Sequence, residues 1–419
     1  MKTRRSFLKA SALTSLAATS IGHAKNASPS KRVRVGVMGL KRGMAHVNSY
    51  LKIPGVEIAY LCDVDQRRLE SAAQHVAKEQ DTKPQKVTDF RKILDDSSID
   101  ALSIAAPNFW HAPATIMACQ AGKHVYVEKP GSHNPHEATR MVAVANETKS
   151  VVQMGNQRRS LPSFQQGIAK LHEGVLGKVT YARCWYDNTR EGIGNGQEAP
   201  VPEWLDYDLW QGPVPVRPYK DNLVHYNWHW HWHWGNGELG NNGVHALDIA
   251  RWGLGVDLPI KASYTGGRYH YDDDQETPDT GDAVFDFGSC GVSWHGSSCH
   301  RRKSESHPFV AFYGEVGVMA FESSGYKIIN PEGNVIETVA PDFSDLVHFE
   351  NFIDAIRNGT ALNAPIADAQ GSAMLCHLGN TAYRQVSTLK RDPDQTWEQV
   401  IGKDSPWWQR KYRDSWLSA

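Results

Sequence analysis

Near the start of the chain a strand, a glycine-bearing turn, a helix and a second strand ending in an acid follow one another without interruption. Nothing else in the sequence restricts the fold so strongly. Residues 33–38 (VRVGVM) are apolar and β-branched, Gly39-Leu40-Lys41-Arg42-Gly43 is a turn, 44–52 has helical texture, and 56–62 is a second apolar run closed by Asp63. This arrangement suits a dinucleotide. The pyrophosphate rests on the N–H groups of a helix N-terminus, and an acid about 20 residues on accepts from a ribose hydroxyl. The glycines depart from the usual spacing: Gly36-x-x-Gly39-x-x-x-Gly43 lacks the middle glycine, and Lys41 stands where a small residue is expected. Taken alone, the turn also suits an ordinary strand-to-helix connection. Asp63 favours NAD, because a carboxylate repels a 2′-phosphate, while Arg67 and Arg68 keep NADP as the less favoured cofactor.

The alternation continues, with strands expected at 101–105, 124–128 and 151–154 and helices at 112–121 and 135–149. Strands separated by helices imply a doubly wound parallel sheet, a Rossmann domain over 25–155. Ligands of such a sheet gather at the carboxyl ends of its strands, where Asp63, Pro107-Asn108, Glu128-Lys129 and Asn156 all fall. Beyond about residue 160 the texture changes. A helix at 161–173 leads into strand-like runs at 179–186, 260–271, 283–287, 291–295, 310–313 and 318–321, followed by helices at 346–358 and 367–389. This second α/β domain, 156–419, is expected to carry a largely antiparallel, open-faced sheet with helices on one side.

Within it, residues 226–252 (YNWHWHWHWGNGELGNNGVHALDIARW) alternate Trp228, Trp230, Trp232 and Trp234 with His229, His231 and His233. An extended strand would sort indoles and imidazoles onto opposite faces. After a Gly/Asn-rich turn, Asn241, His245 and Asp248 recur at spacings of four and three, the spacing of one helix face. An amide, an imidazole and a carboxylate beside a wall of indoles suggest a pocket for a polyhydroxylated molecule. Trp230, Trp232, His233 and Arg158 are its expected lining, with Asp248 either joining them or paired with Arg251. Histidines two apart on one strand could share a zinc ion, but no third-ligand motif accompanies them, and an aromatic wall with no metal is the expectation.

Composition narrows the partners. With 45 basic and 46 acidic side chains and no basic patch interleaved with aromatics, nucleic acid is not expected. The six cysteines form no CxxC and no metal-ligand spacing, and Cys290 and Cys299 are expected as separate thiols. Thr3-Arg4-Arg5-Ser6-Phe7-Leu8-Lys9, a weakly apolar stretch and Gly22-His23-Ala24 together match a twin-arginine (Tat) signal, 1–24, cleaved after Ala24. No other segment approaches the about 18 apolar residues of a membrane span. A soluble periplasmic protein delivered by the Tat export machinery is expected, and since that route carries folded proteins, its cofactor would be loaded before export and held tightly.

Three short motifs carry a resemblance. EKP at 128–130 after a strand, PN…H at 107–111 and GVHALD at 243–248 resemble the Gfo/Idh/MocA oxidoreductase family over about residues 31–390. The export signal is similar to those of two exported groups of that family, the glucose–fructose oxidoreductases and the NAD-dependent α-N-acetylgalactosaminidases. The resemblance implies NAD(P)-dependent chemistry on a sugar or cyclitol, no metal, and a homo-oligomer. It implies that Gly39, Leu40, Lys41, Arg42, Asp63, Pro107, Asn108, His111, Glu128, Lys129 and Asn156 hold the cofactor. Lys129 and His245 would then be the catalytic pair, with Asn241 standing where many members carry an aspartate. An amide cannot ionise, which moves acid–base duty to Lys129 and His245. The first expectation is a dehydrogenase. A redox-neutral glycosidase working through a transient keto sugar is the alternative, and a non-catalytic sugar-binding protein the third reading.

Overall fold

The computed structural model describes residues 32–300, 306–322, 325–413 and 416. The expected signal, 1–24, lies outside them. The N-terminal part runs β1 (Val33–Met38), α1 (Gly43–Tyr50), β2 (Val56–Cys62), α2 (Gln66–Glu79), β3 (Gln85–Val87), α3 (Arg91–Leu94), β4 (Ala101–Ile104), α4 (Asn108–Gln120), β5 (His124–Val127), α5 (Pro135–Thr148) and β6 (Val152–Met154). All six strands are parallel, in the order β3-β2-β1-β4-β5-β6. The strand order reverses between β1 and β4, which leaves a crevice at their carboxyl ends. Helices cover both faces, so β4 is buried at every position and reads as a continuous apolar run. The helix expected from 112 begins earlier, at Asn108, and carries Pro113 inside it.

The second part continues with α6 (Pro162–His172), β7 (Val179–Asp187), α7 (Tyr207–Gln211), α8 (Val244–Leu254), β8 (Lys261–Gly267), β9 (Thr280–Asp286), β10 (Gly291–Ser297), β11 (Val310–Gly314), β12 (Gly317–Phe321), β13 (Tyr326–Ile329), β14 (Val335–Val339), α9 (Leu346–Asn358), α10 (Ile366–Arg384), β15 (Leu389–Lys390) and α11 (Trp397–Ile401). Its nine strands lie in the order β14-β13-β12-β11-β7-β10-β9-β8-β15, antiparallel except for the β7–β10 pair. Helices α6, α8 and α10 pack on one face. On the other, every second residue of β9 faces out, Val284 at 42% exposure among them, as an open face requires. Strand β14 escapes a sequence reading because it is an edge strand without an apolar alternation.

Helix α9 belongs to the later sequence but packs into the earlier core. Phe349 and Phe352 are fully buried with Tyr50, Tyr126 and Val35, and the Phe349 and Tyr126 rings stack at 4.4 Å. Just after α9, Met154 donates its N–H to Ala364 O at 3.1 Å, and Gln153 bridges Pro365, which covers the open edge of β6.

The Trp/His run is not a strand. Asn227–Trp230 form a 3₁₀ turn and the chain then loops to Gly235. His229 stacks on neighbouring Trp228 at 3.6 Å, a contact that alternate-face geometry would forbid. Trp228 and Trp234 are drawn into the aromatic cluster around Phe109 and Trp210, and this burial outweighs the alternation. Among the described residues no helix is long and apolar enough to cross a membrane.

Truncating the ring at the α9 contact tests how far this helix supports the first sheet. Phe349→Ala should cost about 3–5 kcal/mol in urea unfolding, the usual range for a buried aromatic.

Candidate active site

A cleft of about 610 Å³ opens where the carboxyl ends of the parallel strands meet the second part of the chain. Its cofactor half is built from turns. Gly39 has φ +86° and an added Cβ would lie 2.6 Å from Ala105 O, so only glycine lets the β1 turn approach the β4 turn. Asp63, 8% exposed, accepts from Leu40 N at 2.6 Å and Asp65 N at 2.8 Å. Burial pushes its pKa up, against those two bonds. Phe90, Trp110 and Trp416 close this end, with successive ring centroids 5.4 and 5.1 Å apart. An acid at the end of β2, a turn stripped of its Cβ and an aromatic box fit a dinucleotide.

Asn108 and His111 brace the crevice. Asn108 donates to Asn236 Oδ1 at 3.1 Å. His111 sits between Pro130 O, 2.5 Å from Nδ1, and Ala106 O, 2.7 Å from Nε2; burial lowers its pKa while the two carbonyls oppose that.

At the centre lies Glu128. Its Oε1 accepts from Arg42 Nε at 2.9 Å and Gln157 Nε2 at 3.2 Å and faces His46 Nε2 at 3.2 Å, while Oε2 accepts from Lys129 N at 3.2 Å. Burial alone would raise its pKa, but the His46 hydrogen bond and the Arg42 charge hold it well below the usual carboxylate range. Arg42 also reaches Asp345 at 3.0 Å, tying the glycine turn to the start of α9.

Lys129 Nζ donates to Asn241 O at 2.8 Å and to Asn241 Oδ1 at 3.1 Å. Asn241 sits in a π-helical turn, Leu239–Gly243, that leads into α8; such widened turns recur at functional sites. Burial lowers the Lys129 pKa, Glu128 opposes this, and Arg42 and Arg158 add to it. His245 is pushed well below its ordinary value by burial and then by the charges of Lys129 and Arg158, so its ring is neutral. Burial also brings Arg158 down to about 10.

Of the residues expected from sequence, Gly39, Leu40, Lys41, Arg42, Asp63, Pro107, Asn108, His111, Glu128, Lys129, Arg158, Asn241 and His245 line this one cleft. The others lie elsewhere. Asn156 is buried outside the lining, its side-chain N and O without partners among the described residues. Trp230 is a core residue at 0% exposure, with Arg190 4.0 Å over its ring. Trp232 and His233 face a separate cavity. Asp248 forms a buried ion pair with Arg159, at 2.8 and 2.7 Å, rather than joining the pocket or pairing with Arg251, whose partners are Asp368 and Asp257. Tyr226, Trp228 and His229 take the places expected of Trp230 and Trp232, and His46 and Gln157 were not anticipated. The Trp/His run did mark the region, but its 3₁₀ turn presents different members. Among the described residues no group of three His, Cys, Asp or Glu side chains is placed to hold a metal ion.

Fold and cleft together define a dinucleotide-binding oxidoreductase architecture. The chain belongs to the Gfo/Idh/MocA oxidoreductase family: residues 33–156 match its NAD-binding Rossmann fold and 182–406 its C-terminal alpha/beta domain. A glycosyl hydrolase family 109 protein of Shewanella sp. strain ANA-3 is 31% identical over 160 residues, 37% of this chain and 35% of that protein. An alpha-N-acetylgalactosaminidase of Shewanella oneidensis is 29% identical over the same share. The chain thus aligns with about a third of the length of these relatives. Among solved structures, the WlbA dehydrogenase of Bordetella pertussis, in complex with NADH and UDP-GlcNAcA, superposes with a TM-score of 0.66 at 18% identity, covering 87% of this chain and 100% of that one. The aldose-aldose oxidoreductase of Caulobacter crescentus gives 0.66 at 16%, covering 86% and 100%. At these identities the likeness is one of fold.

The Glu128 carboxylate supplies a pH signature. Its folded value lies below the ordinary 4.5. Its ionised form therefore stabilises the fold above 4.5, and that contribution is lost as pH falls through the folded value. Glu128→Gln should unfold more easily near neutrality, by about 3–5 kcal/mol for a buried pair broken on one side. The gap to wild type should close in acid, as followed by denaturant titration across pH.

Proposed function

We propose that this protein is an NAD-dependent oxidoreductase acting on a secondary hydroxyl of a sugar, sugar derivative or cyclitol, with NAD favoured over NADP by Asp63. One observation carries the reading: Lys129 Nζ, held by both oxygens of Asn241, lines the same cleft as His245 and the glycine turn. When bound, nicotinamide supplies the acceptor or donor of a hydride at the substrate carbon. The chain's own residues handle the proton. A lysine with lowered pKa can take the hydroxyl proton in its neutral form and return it. Asn241 fixes the direction of the amine without competing as a base. Among the described residues the His245 ring has no hydrogen-bond partner, which leaves the imidazole available to a substrate hydroxyl. Trp228 and His229, stacked on one another, offer a flat apolar surface of the kind on which a sugar ring packs.

A second reading has specific support. The relatives named as glycosidases match this chain, and an amide occupies position 241. In a redox-neutral cycle a ring hydroxyl is oxidised, the resulting carbonyl acidifies the neighbouring C–H, the glycosidic oxygen leaves with its electron pair, water adds, and the carbonyl is reduced again. Hydride and protons balance, and no net oxidant is consumed.

Purified protein separates the two. Co-purifying NAD(H) is measured, then absorbance at 340 nm and products are followed with candidate sugars and aryl glycosides. A ketonic product with stoichiometric absorbance change fits the dehydrogenase, and cleavage without net change fits the glycosidase. Absence of turnover in both arms would sink both and leave a binding protein. Lys129→Met should lose about 10²–10⁴-fold in turnover while circular dichroism stays unchanged.

The export reading of residues 1–24 belongs to the same proposal. Replacing Arg4 and Arg5 together by lysine should leave the protein in the cytoplasmic fraction; unchanged periplasmic delivery would refute the Tat assignment.

A further inference from the structure

Outside the cleft a second cavity, about 910 Å³, lies between residues 133–135, the loop carrying Trp232 and His233, α10 and the segment 404–411. Four cations line it, Arg217, Arg384, Arg410 and Lys411, against two carboxylates, Glu276 and Asp404. Glu276 is already engaged, accepting from Trp232 N at 2.7 Å and facing His231 Nδ1 at 3.8 Å. Asp404 is exposed. Among the described residues, none of the four cations has a carboxylate within 4.0 Å.

The arginines are held rather than loose. Arg384 lies between two indoles, 5.0 Å from the Trp232 ring and 4.8 Å from that of Trp407, which orients its planar fork. Arg410 donates from Nη2 to His233 O at 3.0 Å, with Nη1 3.3 Å from His133 Nδ1. Its Nε is buried without a partner, and so is His133 Nε2. Burial and then the Arg410 charge press the His133 pKa well below its ordinary value, as a positive local field would. Buried N–H groups are costly to leave unmade; Glu137 acts on Arg410, and Glu276 on Arg384 and Arg217, through space alone, and neither carboxylate bonds to these guanidinium groups.

We propose that this cavity is a second binding site, separate from the cleft, for a small sugar-sized molecule bearing an oxyanion, either a carboxylate or a phosphate. Guanidinium forks match both anions in two-point geometry, indoles beside them suit a ring, and the volume sits within the usual ~300–1,000 Å³ of small-molecule sites. The site stands independently of the proposed reaction, since Lys129 and His245 do not line it.

Titration calorimetry on the full protein tests it, with glucuronate, glucose 6-phosphate, inorganic phosphate and neutral glucose as probes. Saturable binding is expected for at least one anion and none for glucose. It should weaken at least tenfold in Arg384→Gln and in the surface double variant Arg217→Glu/Lys411→Glu, and on raising salt from 50 to 500 mM. Whichever of glucuronate and the phosphates binds tighter identifies the anion. Lys129→Met should bind as wild type; loss there would move the binding to the cleft and overturn the proposal. So would glucose binding as tightly, no saturable binding by any anion, or affinity unchanged in both sets of variants. A dimer in sedimentation that Arg217→Glu/Lys411→Glu dissociates would also overturn it, by making the cavity a self-contact.

Discussion

One buried carboxylate organises the cleft. Glu128 gathers a guanidinium from the glycine turn, an imidazole from α1, an amide from the turn after β6 and the N–H of Lys129 itself. An ionised acid removed from water costs several kcal/mol unless such donors meet it. Each donor is therefore placed by the need to meet Glu128, and three separate segments come into register around it. The lysine that follows extends away from this cluster. Its Nζ is caught from the far side by Asn241, so the two parts of the chain meet at one amine. Asn241, being an amide, puts no ionisable group against that amine.

Much of the first part was legible because its signals are local. A parallel strand covered on both faces must be apolar throughout, and a turn that approaches another backbone must shed its Cβ, so β1, Gly39 and Asp63 declare themselves in one short stretch. EKP and GVHALD could be recognised for the same reason. What resisted reading depends on partners far away in sequence. Alternating Trp and His looks like a strand, but a strand exists only through its neighbours' ladder of hydrogen bonds, and among the described residues no strand pairs with this run. The indoles instead buried against α4 and α7, which moved Trp228 and His229 into the cleft and Trp230 into the core. Asp248 found Arg159, 89 residues earlier, rather than Arg251 three residues on. Spacing on a helix shows which side chains share a face; it cannot show which of several arginines will arrive.

Asn236 links the cleft to the arginine-lined cavity through its side chain. Asn236 accepts from Asn108, at the crevice, and donates to His133 O at 2.9 Å, beside the arginine-lined cavity. The stretch 226–252 thus contributes to both sites. Its 3₁₀ turn furnishes the cleft wall, its middle lines the second cavity, and its π turn holds Lys129.

Helix α9 ties the second part of the chain back into the first. The polypeptide leaves the parallel sheet after β6, then returns, inserts Phe349 and Phe352 beneath it, and leaves again past Ala364, which is bonded to Met154. Both crossings lie along the β6 edge. The two parts are bonded on the β2 side of the sheet as well, where Gln66 N donates to Trp204 O at 3.1 Å, Asp206 N to Val64 O at 3.0 Å and Trp110 Nε1 to Trp210 O at 3.0 Å. A rigid swing about the β6 edge would have to break these bonds, so the cleft is a span clamped at both ends rather than a mouth with one free side.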